Sequence, residues 1–358
     1  MIKYELKNIA TYEKLYEAHL RARKCKRYKN EVVKFEIDMF YHINNLSVAL
    51  QNGTYRIKSY KRFMIYDPKE REIQALAYRD RVVQNCLCYN FLVPYYTKKL
   101  IFDNGACRKQ KGTHFTRSRL EGFMSQYFKQ YGNNGYFLRL DIKKYFNNID
   151  HEILKQKLGK IHDQDLKNLV YHVIDSYEHS PGKGVPMGNQ SSQIFALLYL
   201  NNIDRIIKEK FQIKYYVRYM DDLLILHNNK QFLKDLFALL KKEIISLNLE
   251  VNKKSEIIPI KNGIEFLGVH YKILPSGKIL KRMKTQSKRR MLKRIKDLKN
   301  DFEAGKIDKF VINQSLAGFK GNIKRLTVNG LNVKYIGMLK NLINTPKPAK
   351  KKNANARP

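Results

Sequence analysis

Tryptophan is absent from the 358 residues, cysteine occurs four times, and no apolar run approaches the roughly 18 residues that a membrane-spanning helix needs. The N-terminus also lacks the apolar segment of a signal peptide. The cysteines lack the paired spacing of a zinc site, so we expect four reduced packing residues: Cys25, Cys86, Cys88 and Cys107. These absences favour a cytoplasmic protein that does not bind membranes.

Acidic residues are also few. Lys and Arg total 70 against 32 Asp and Glu, which gives a formal net charge of +38. Nucleic acid is the expected partner, because phosphates neutralise the repulsion among these cations and binding releases counterions. Solubility, or the lysine bias of an A+T-rich genome, is the alternative explanation. The 24 Tyr and 18 Phe supply core volume and stacking surfaces for bases.

The hydrophobic patterns predict an α+β fold. Residues 1–50 have helical spacing, "GYFLRLDI" and "KYYVRYMDDLLILH" have strand patterns, and "DHEILKQKLGKI" and "SQIFALLYLNNIDRIIKEK" have helical ones. Residues 278–299 contain eleven basic residues and one acid, and apolar residues recur there at helical spacing. We therefore expect a basic amphipathic helix with a thin seam formed by Met291, Ile295, Leu298 and Phe302.

The stretch "VRYMDDLLIL" places Asp221 and Asp222 side by side between two apolar runs. A tight hairpin would hold both carboxylates at the edge of a sheet. Divalent cations would remove their mutual repulsion, and two such ions need a third acid from elsewhere in the fold. Asp141 is the candidate, since it directly follows an alternating strand at residues 136–140, and the Ile142 carbonyl would add a ligand.

The pattern therefore predicts two Mg²⁺ ions, with Mn²⁺ as a substitute, held by Asp141, Ile142, Asp221 and Asp222. Such a site suits in-line attack of a 3′-hydroxyl on an α-phosphate, because one ion activates the attacking oxygen and the other neutralises pyrophosphate. An isolated pair of aspartates is more often a surface turn or a helix cap, which is the alternative interpretation.

Several motifs in this order resemble the palm motifs of reverse transcriptases: "DIKKYFNNIDH", "GVPMGNQSSQIFALLYLNNID", "YMDD", "LNLEVNKKS" and "IEFLG". Upstream, "YDPKEREIQALAYRDRVVQ" and "NGACRKQKGTH" resemble the fingers segments of the bacterial, group II intron-like branch. The resemblance covers about residues 45–320. It implies a right-hand polymerase with fingers, a palm containing an antiparallel sheet, and a helical thumb, copying an RNA template into cDNA with deoxynucleoside triphosphates.

The resemblance, together with composition and hydrophobic spacing, predicts a division of the chain. Residues 1–55 would form a basic helical extension, and residues 56–135 the fingers. Residues 136–274 would form the palm, with a fingers insertion near 152–182. Residues 275–345 would form the thumb, and residues 346–358 a disordered basic tail.

One motif departs from the common pattern. Many reverse transcriptases have Gln-Gly-x-x-x-Ser-Pro before the palm helix, whereas this chain has Met-Gly-Asn-Gln-Ser-Ser-Gln at residues 187–193. This variant resembles the error-prone enzymes of diversity-generating retroelements, in which the lost Gln is implicated in mispairing opposite template adenine. That subfamily implies a structured non-coding RNA and a small accessory protein as partners. A phage-defence reverse transcriptase, an RNA-dependent RNA polymerase and a non-catalytic RNA-binding scaffold are the alternatives.

The resemblance also assigns roles around the nucleotide. Phe146 would block a ribose 2′-hydroxyl, unless it is simply a core residue. Lys69 and Arg71 would grip the triphosphate, unless they are solvated charges. Lys254 would give a proton to pyrophosphate, if it rather than Lys253 is the lysine of its motif.

The remaining assignments concern the segment after the fingers insertion and the nucleic acid. Met187, Gly188 and Gln193 would lie near the nucleotide and Asn189 near the template, while Ser191 or Ser192 would cap a helix. Template phosphates, or the fingers themselves, would be contacted by Arg81, Arg108, Lys111 and His114. The turn Phe266, Leu267 and Gly268 resembles the one that grips the primer terminus.

Overall fold

A computed structural model describes residues 4–66, 70–323, 326–327, 336–338, 340–341 and 344. The chain divides into two compact units, of which the first comprises Met1–Leu120 and Leu138–Ile257 and the second Glu121–Phe137 and Ile258–Pro358. Both units contain helices and antiparallel strands, which confirms the α+β class. No helix in the described part of the chain has the length and apolar character to cross a membrane.

The first unit begins with the helices that the sequence predicts. They bury an apolar stripe that includes Leu15, Val32 and Ile43. Thr11 caps the second helix, because its side chain accepts a hydrogen bond from the Lys14 backbone N–H. The bounds are Leu6–Ile9 (α1), Tyr12–Ala22 (α2), Asn30–Ile37 (α3) and Met39–Gln51 (α4).

An antiparallel hairpin follows, formed by Tyr60–Ile65 (β1) and Arg71–Leu76 (β2). Helices Tyr78–Leu87 (α5), Val93–Tyr96 (α6) and Thr113–Tyr131 (α7) come next, with a π-helical turn at Cys88–Leu92. All four cysteines are free thiols. The packing role holds for Cys86 and Cys88, which are buried, but is wrong for Cys25 and Cys107, which are exposed.

A four-stranded sheet contains Tyr136–Leu140 (β3), Tyr216–Tyr219 (β4), Asp222–His227 (β5) and Glu256–Pro259 (β6), in the order β4-β5-β3-β6. Four successive residues of β5, Leu223 to Leu226, are buried, as expected of a strand covered on both faces. The helices of this region are His151–Leu158 (α8), Gln164–Asp175 (α9), Gln190–Tyr199 (α10), Asn201–Arg205 (α11) and Lys230–Ser246 (α12).

The second unit contains a three-stranded antiparallel sheet, Ile264–Phe266 (β7), Val269–Ile273 (β8) and Ile279–Met283 (β9), and helices Thr285–Glu303 (α13) and Lys309–Ile323 (α14). The expected helix over residues 278–299 is wrong in its first part, because Ile279–Met283 pairs with β8 across a turn that contains Gly277 at φ +78°. Its apolar seam is confirmed: Ile295 and Phe302 are buried, and Met291 and Leu298 pack against them.

Candidate active site

The aspartate pair lies on a tight hairpin, as the sequence predicts. Tyr219 pairs with Asp222, so Met220 and Asp221 form the two-residue turn and Asp222 begins β5. Met220 has φ +56°, a conformation that a residue with a side chain adopts at a cost. Both aspartates are only partly buried. The turn therefore presents two neighbouring carboxylates at the end of the sheet.

A buried ion pair lies behind this turn. Arg218, which is fully buried, donates from Nε and Nη2 to the two carboxylate oxygens of Asp204, at 2.7 Å each. Burial disfavours the charged guanidinium, but the attraction of Asp204 outweighs burial and raises the pKa of Arg218. Neither residue is among the predicted site residues. The available signal was a cation in the middle of an otherwise apolar strand, "YYVRYM".

Asp141 directly follows β3, and its backbone is held by the segment after α12. Its N–H donates to Ser255 Oγ at 3.0 Å, and its carbonyl accepts from the Asn252 N–H at 2.8 Å. Ile142 faces Val251 across an antiparallel bridge. The hydrogen bonds on either side of this bridge are made by the residues directly before and after Ile142 and Val251, not by these two residues. The Ile142 carbonyl takes no part in that pair of bonds.

The three aspartates influence one another electrostatically. Burial, together with the charges of Asp222 and Asp141, raises the pKa of Asp221 to about 6, against the lowering effects of a backbone hydrogen bond and of Arg218. Asp222 also lies 3.6 Å from the guanidinium of Arg139, a β3 residue outside the predicted site. The two aspartates of the turn and Asp141 therefore form one anionic cluster in a strongly cationic chain.

Oxygen donors of this kind suit hard divalent cations, which would relieve the repulsion that raises the pKa of Asp221. Across the described ranges, no three His, Cys, Asp or Glu side chains are already gathered closely enough to hold one ion. The chemistry of the donor set fits a metal site, and the carboxylates would need to move closer together around the ions.

Phe146 lies in a single 3₁₀ turn, Tyr145–Asn147, and remains partly exposed. Its neighbour Tyr145 is the core residue of this segment: it is buried and donates its hydroxyl to the Ala196 carbonyl at 2.5 Å. This arrangement disfavours the alternative that Phe146 is simply a packed core side chain.

The segment before α10 approaches the β1–β2 hairpin closely. Gly188 has φ +110°, and a Cβ at this position would lie 3.5 Å from Ile73 Cγ2 of β2. Asn189 is the N-cap residue of α10 but makes no side-chain capping bond, and its buried Nδ2 has no hydrogen-bond partner among the described residues. Ser191 and Ser192 are both buried inside the first turn of α10, beyond its N-cap position. The prediction that one of them caps the helix is therefore wrong.

Comparison with known proteins identifies the chain. The sequence model of the family described as "Reverse transcriptase (RNA-dependent DNA polymerase)" matches residues 68–271, more than half of the 358 residues. This chain belongs to the reverse transcriptase family. The matched region contains all three aspartates of the cluster.

Individual relatives of this reverse transcriptase are distant. The group II intron-encoded protein LtrA of Lactococcus lactis subsp. cremoris is 24% identical over 231 residues, covering 61% of this chain and 37% of LtrA. A putative COX1/OXI3 intron 2 protein of Saccharomyces cerevisiae is 24% identical over 216 residues, covering 41% of this chain and 25% of that protein. The chain therefore spans well under half the length of these relatives.

Among solved structures, apo telomerase from Candida tropicalis, truncated from its C-terminal domain, matches with a TM-score of 0.48 and 15% identity. It covers 63% of this chain and 55% of the telomerase chain.

Of the two cations that the reverse transcriptase motifs assign to the triphosphate, the structure describes one. Arg71 is exposed at the start of β2, where it pairs with Ile65. Lys69 lies outside the described residues. Lys253 and Lys254 are both exposed on the segment that anchors Asp141, so the choice between them stays open.

Two of the arginines assigned to template contacts have partners within the protein. Arg81 pairs with Glu31, and Arg108 donates to the carbonyl oxygens of Ile101 and Asn104 at 2.7 and 3.0 Å. These contacts favour the alternative in which such residues stabilise the fingers.

Lys111 donates to the Phe102 carbonyl and lies 4.1 Å from the centre of the Phe102 ring. Burial, followed by the charge of Arg108, lowers the pKa of Lys111 to about 8. His114 is exposed in the first turn of α7. Template contacts by Lys111 and His114 stay predictions.

The predicted primer-gripping turn is a two-residue hairpin loop in the second unit. Phe266 pairs with Val269, and Leu267 and Gly268 both have positive φ, at +47° and +81°. Positive φ at both loop residues is typical of a type I′ hairpin turn. Phe266 is buried, so Leu267 and Gly268 form the tip of the turn.

Proposed function

We propose that this chain is an RNA-directed DNA polymerase that makes cDNA by two-metal nucleotidyl transfer. The supporting observation is the anionic cluster of Asp141, Asp221 and Asp222, in which neighbouring charges help to raise the pKa of Asp221. Neighbouring carboxylates that destabilise one another's ionised form are expected where cations are to be bound. The relatives are longer than the matched region, so the activity of the whole protein is itself part of this proposal.

In this mechanism the three carboxylates and the Ile142 carbonyl would hold two Mg²⁺ ions, or Mn²⁺ in their place. When bound, the ions lower the pKa of the attacking 3′-hydroxyl and neutralise the leaving pyrophosphate. Phe146 lies against the sugar and excludes a 2′-hydroxyl. Lys69 and Arg71 orient the triphosphate, and Lys254 gives a proton to pyrophosphate.

Met187, Gly188 and Gln193 contact the nucleotide in this proposal, and Asn189 contacts the template. Gly188 suits a close approach of backbone and ligand, because its positive φ and lack of a side chain leave the segment open. The buried Nδ2 of Asn189, which has no partner in the described part of the chain, offers a donor for a base or sugar oxygen. Lys111 and the turn at residues 266–268 complete the proposed nucleic-acid surface, and Arg81 and Arg108 support it from behind through their bonds within the protein.

The division into a basic extension, fingers, palm and thumb follows the boundaries that the motif resemblance implies. In this arrangement the basic helix α13 lies along the backbone of the RNA–DNA hybrid. The protein acts in the cytoplasm, and its partners are an RNA template, the hybrid and deoxynucleoside triphosphates.

The subtype that we propose is the error-prone enzyme of a diversity-generating retroelement, working with a structured non-coding RNA and a small accessory protein. Its support is the substitution of Met187 for the usual Gln, together with Gln193 in place of Pro. A phage-defence reverse transcriptase is the second candidate. A nearby pair of template and variable repeats in the genome would favour the first.

Primer extension on an RNA template, with Mg²⁺ and either deoxynucleotides or ribonucleotides, tests the activity. We expect extension with deoxynucleotides by the wild type and none by Asp221→Asn/Asp222→Asn. If the wild type, supplied with any accessory partner and RNA, extends no primer, and if the double variant behaves identically in every assay, a non-catalytic scaffold is the better description.

Sequencing the cDNA tests the subtype. Errors concentrated opposite template adenine, and reduced by Met187→Gln, are expected of the diversity-generating enzyme. Uniform fidelity in both proteins would contradict that assignment.

A further inference from the structure

The buried pair Arg218–Asp204 takes no part in the proposed chemistry, and stability alone does not explain it. Both side chains are fully buried. Removing two charges from water carries a desolvation cost, and well-packed apolar residues are often equally stable in such positions. A buried ion pair of this kind indicates a role that depends on the fixed directions of its hydrogen bonds.

The guanidinium of Arg218 makes two further hydrogen bonds, one to the aspartate turn and one to helix α10. Nη1 donates to the Met220 carbonyl at 2.9 Å, within the hairpin turn. Nη2 donates to the Leu197 carbonyl at 2.9 Å. Leu197 lies in the last turn of α10, where helix carbonyls lack partners within the helix and a cation is favourable.

One side chain therefore connects three elements. The Met220 carbonyl belongs to the residue with positive φ directly before Asp221. The α10 helix begins just after the Met187–Gly188 segment, which the proposed function assigns to the nucleotide. Asp204 lies on α11 and fixes the guanidinium by two parallel bonds. The backbone of Arg218 is held as well, since its N–H donates to the Asp103 carbonyl at 3.2 Å.

We propose that Arg218, held by Asp204, is a positioning residue that sets the aspartate turn at a fixed place relative to α10 and hence to the bound nucleotide. This inference rests on the proposed function. The planar guanidinium, with five donors in a fixed fork, serves Asp204, Met220 and Leu197 at once, whereas the single ammonium of a lysine does not match this geometry. Small displacements matter here, because misplacing a reacting group by 1 Å costs about 100-fold in rate.

The test compares the full-length wild type with Arg218→Met/Asp204→Asn. This variant removes the ion pair without leaving a buried charge, and the amide oxygen that replaces the carboxylate still accepts from the Tyr216 hydroxyl. Tyr216→Phe is the matched control, since it removes the 2.6 Å bond to Asp204 but leaves the bonds of Arg218 to Met220 and Leu197.

Three quantities are measured in each protein. They are hydrogen exchange in the peptide containing residues 217–224, Mn²⁺ affinity by electron paramagnetic resonance, and kcat and KM for deoxynucleotide. We expect the double variant to exchange at the turn at least about tenfold faster, to bind Mn²⁺ more weakly, and to lose about 100-fold in kcat with little change in KM. Tyr216→Phe should keep wild-type values in all three, even where its melting temperature falls.

A folded double variant with wild-type exchange, Mn²⁺ affinity and kcat overturns the proposal. So does a Tyr216→Phe variant that loses kcat and Mn²⁺ affinity as strongly, because the effect would then follow stability rather than the turn. If the double variant does not fold, Arg218→Lys is measured in the same way, and wild-type exchange at its turn overturns the proposal. Rapid exchange of residues 220–223 in the wild type itself would have the same consequence.

Hydrogen exchange and Mn²⁺ binding do not require catalysis. An inactive wild type whose turn loosens only in the double variant would therefore contradict the proposed polymerase function while supporting the positioning role.

Discussion

At the scale of single residues, the candidate site is organised by charges that oppose one another. Asp221 has a pKa raised to about 6, first by burial and then by its acidic neighbours. Because this value exceeds the ordinary 3.8, the unfolded chain releases the proton more readily, so folding stability falls as pH rises from about 4 to 6. At pH 7.5 Asp221 is ionised, so the metal-free protein carries the full free-energy cost of this charge in the folded state.

We therefore expect Asp221→Asn to stabilise the metal-free protein at pH 7.5 by about 1 to 3 kcal/mol while abolishing primer extension. Denaturant unfolding in the presence of a chelator measures the gain. The advantage should shrink as pH falls from 6 towards 4. Adding Mg²⁺ should stabilise the wild type more than the variant, and a variant less stable than the wild type at pH 7.5 would contradict the electrostatic account.

The partial exposure of Phe146 leads to a second prediction. Phe146→Ala should raise the use of ribonucleotides relative to deoxynucleotides by about 10-fold or more, since removing the ring opens space for a 2′-hydroxyl. The stability of the variant should change little compared with Tyr145→Phe, which breaks a buried hydrogen bond to Ala196. Relative kcat/KM values for the two nucleotide types decide the matter, and an unchanged ratio would remove Phe146 from the sugar site.

The residues of the site differed in how far the sequence alone could predict them. Asp221 and Asp222 were predictable, because adjacent acids between apolar strands need an explanation wherever they occur. Arg218 was not, since its acceptors on Met220, Leu197 and Asp204 meet only in the folded chain. The same holds for the anchoring of Asp141 by Ser255, which is 114 residues away in sequence.

At the scale of elements, the hairpins differ in how clearly the sequence predicts them. The β4–β5 hairpin was predictable from two apolar runs around a polar pair. The β9 strand was missed, because the basic residues of "ILKRM" continue without a break into the helix that follows. Only the pairing with β8, across a turn at Gly277, makes this stretch a strand.

Gly277→Ala tests that turn. At φ +78° any side chain is strained, and a Cβ would lie 2.5 and 2.7 Å from ring atoms of Phe128. We expect a loss of about 2 to 4 kcal/mol in unfolding free energy. Gly305→Ala is the matched control, because Gly305 has φ +70° and no described residue within 4 Å of the added Cβ, so it should lose only about 1 to 2 kcal/mol. Equal losses in the two variants would show that the ring contact is unimportant.

At the scale of the whole molecule, the charge of +38 dominates. If it serves to bind nucleic acid, the affinity for an RNA–DNA hybrid should fall about 1,000-fold or more between 50 and 200 mM salt, as expected for several phosphate contacts. Fluorescence anisotropy at a series of salt concentrations measures this slope. Asp221→Asn should show the same slope, because its change lies in the metal site, and a nearly flat dependence would favour the explanation by solubility or genome composition.

The attachment of Asp141 to Asn252 and Ser255 has a consequence for synthesis of the protein in the cell. A growing chain already carries all three aspartates once residue 222 has been made, yet the segment that fixes the first of them is added some thirty residues later. Ribosomal products that stop in this interval would carry all three aspartates but lack the residues that hold the Asp141 backbone. The anionic cluster would therefore reach its final geometry only after translation has passed this segment.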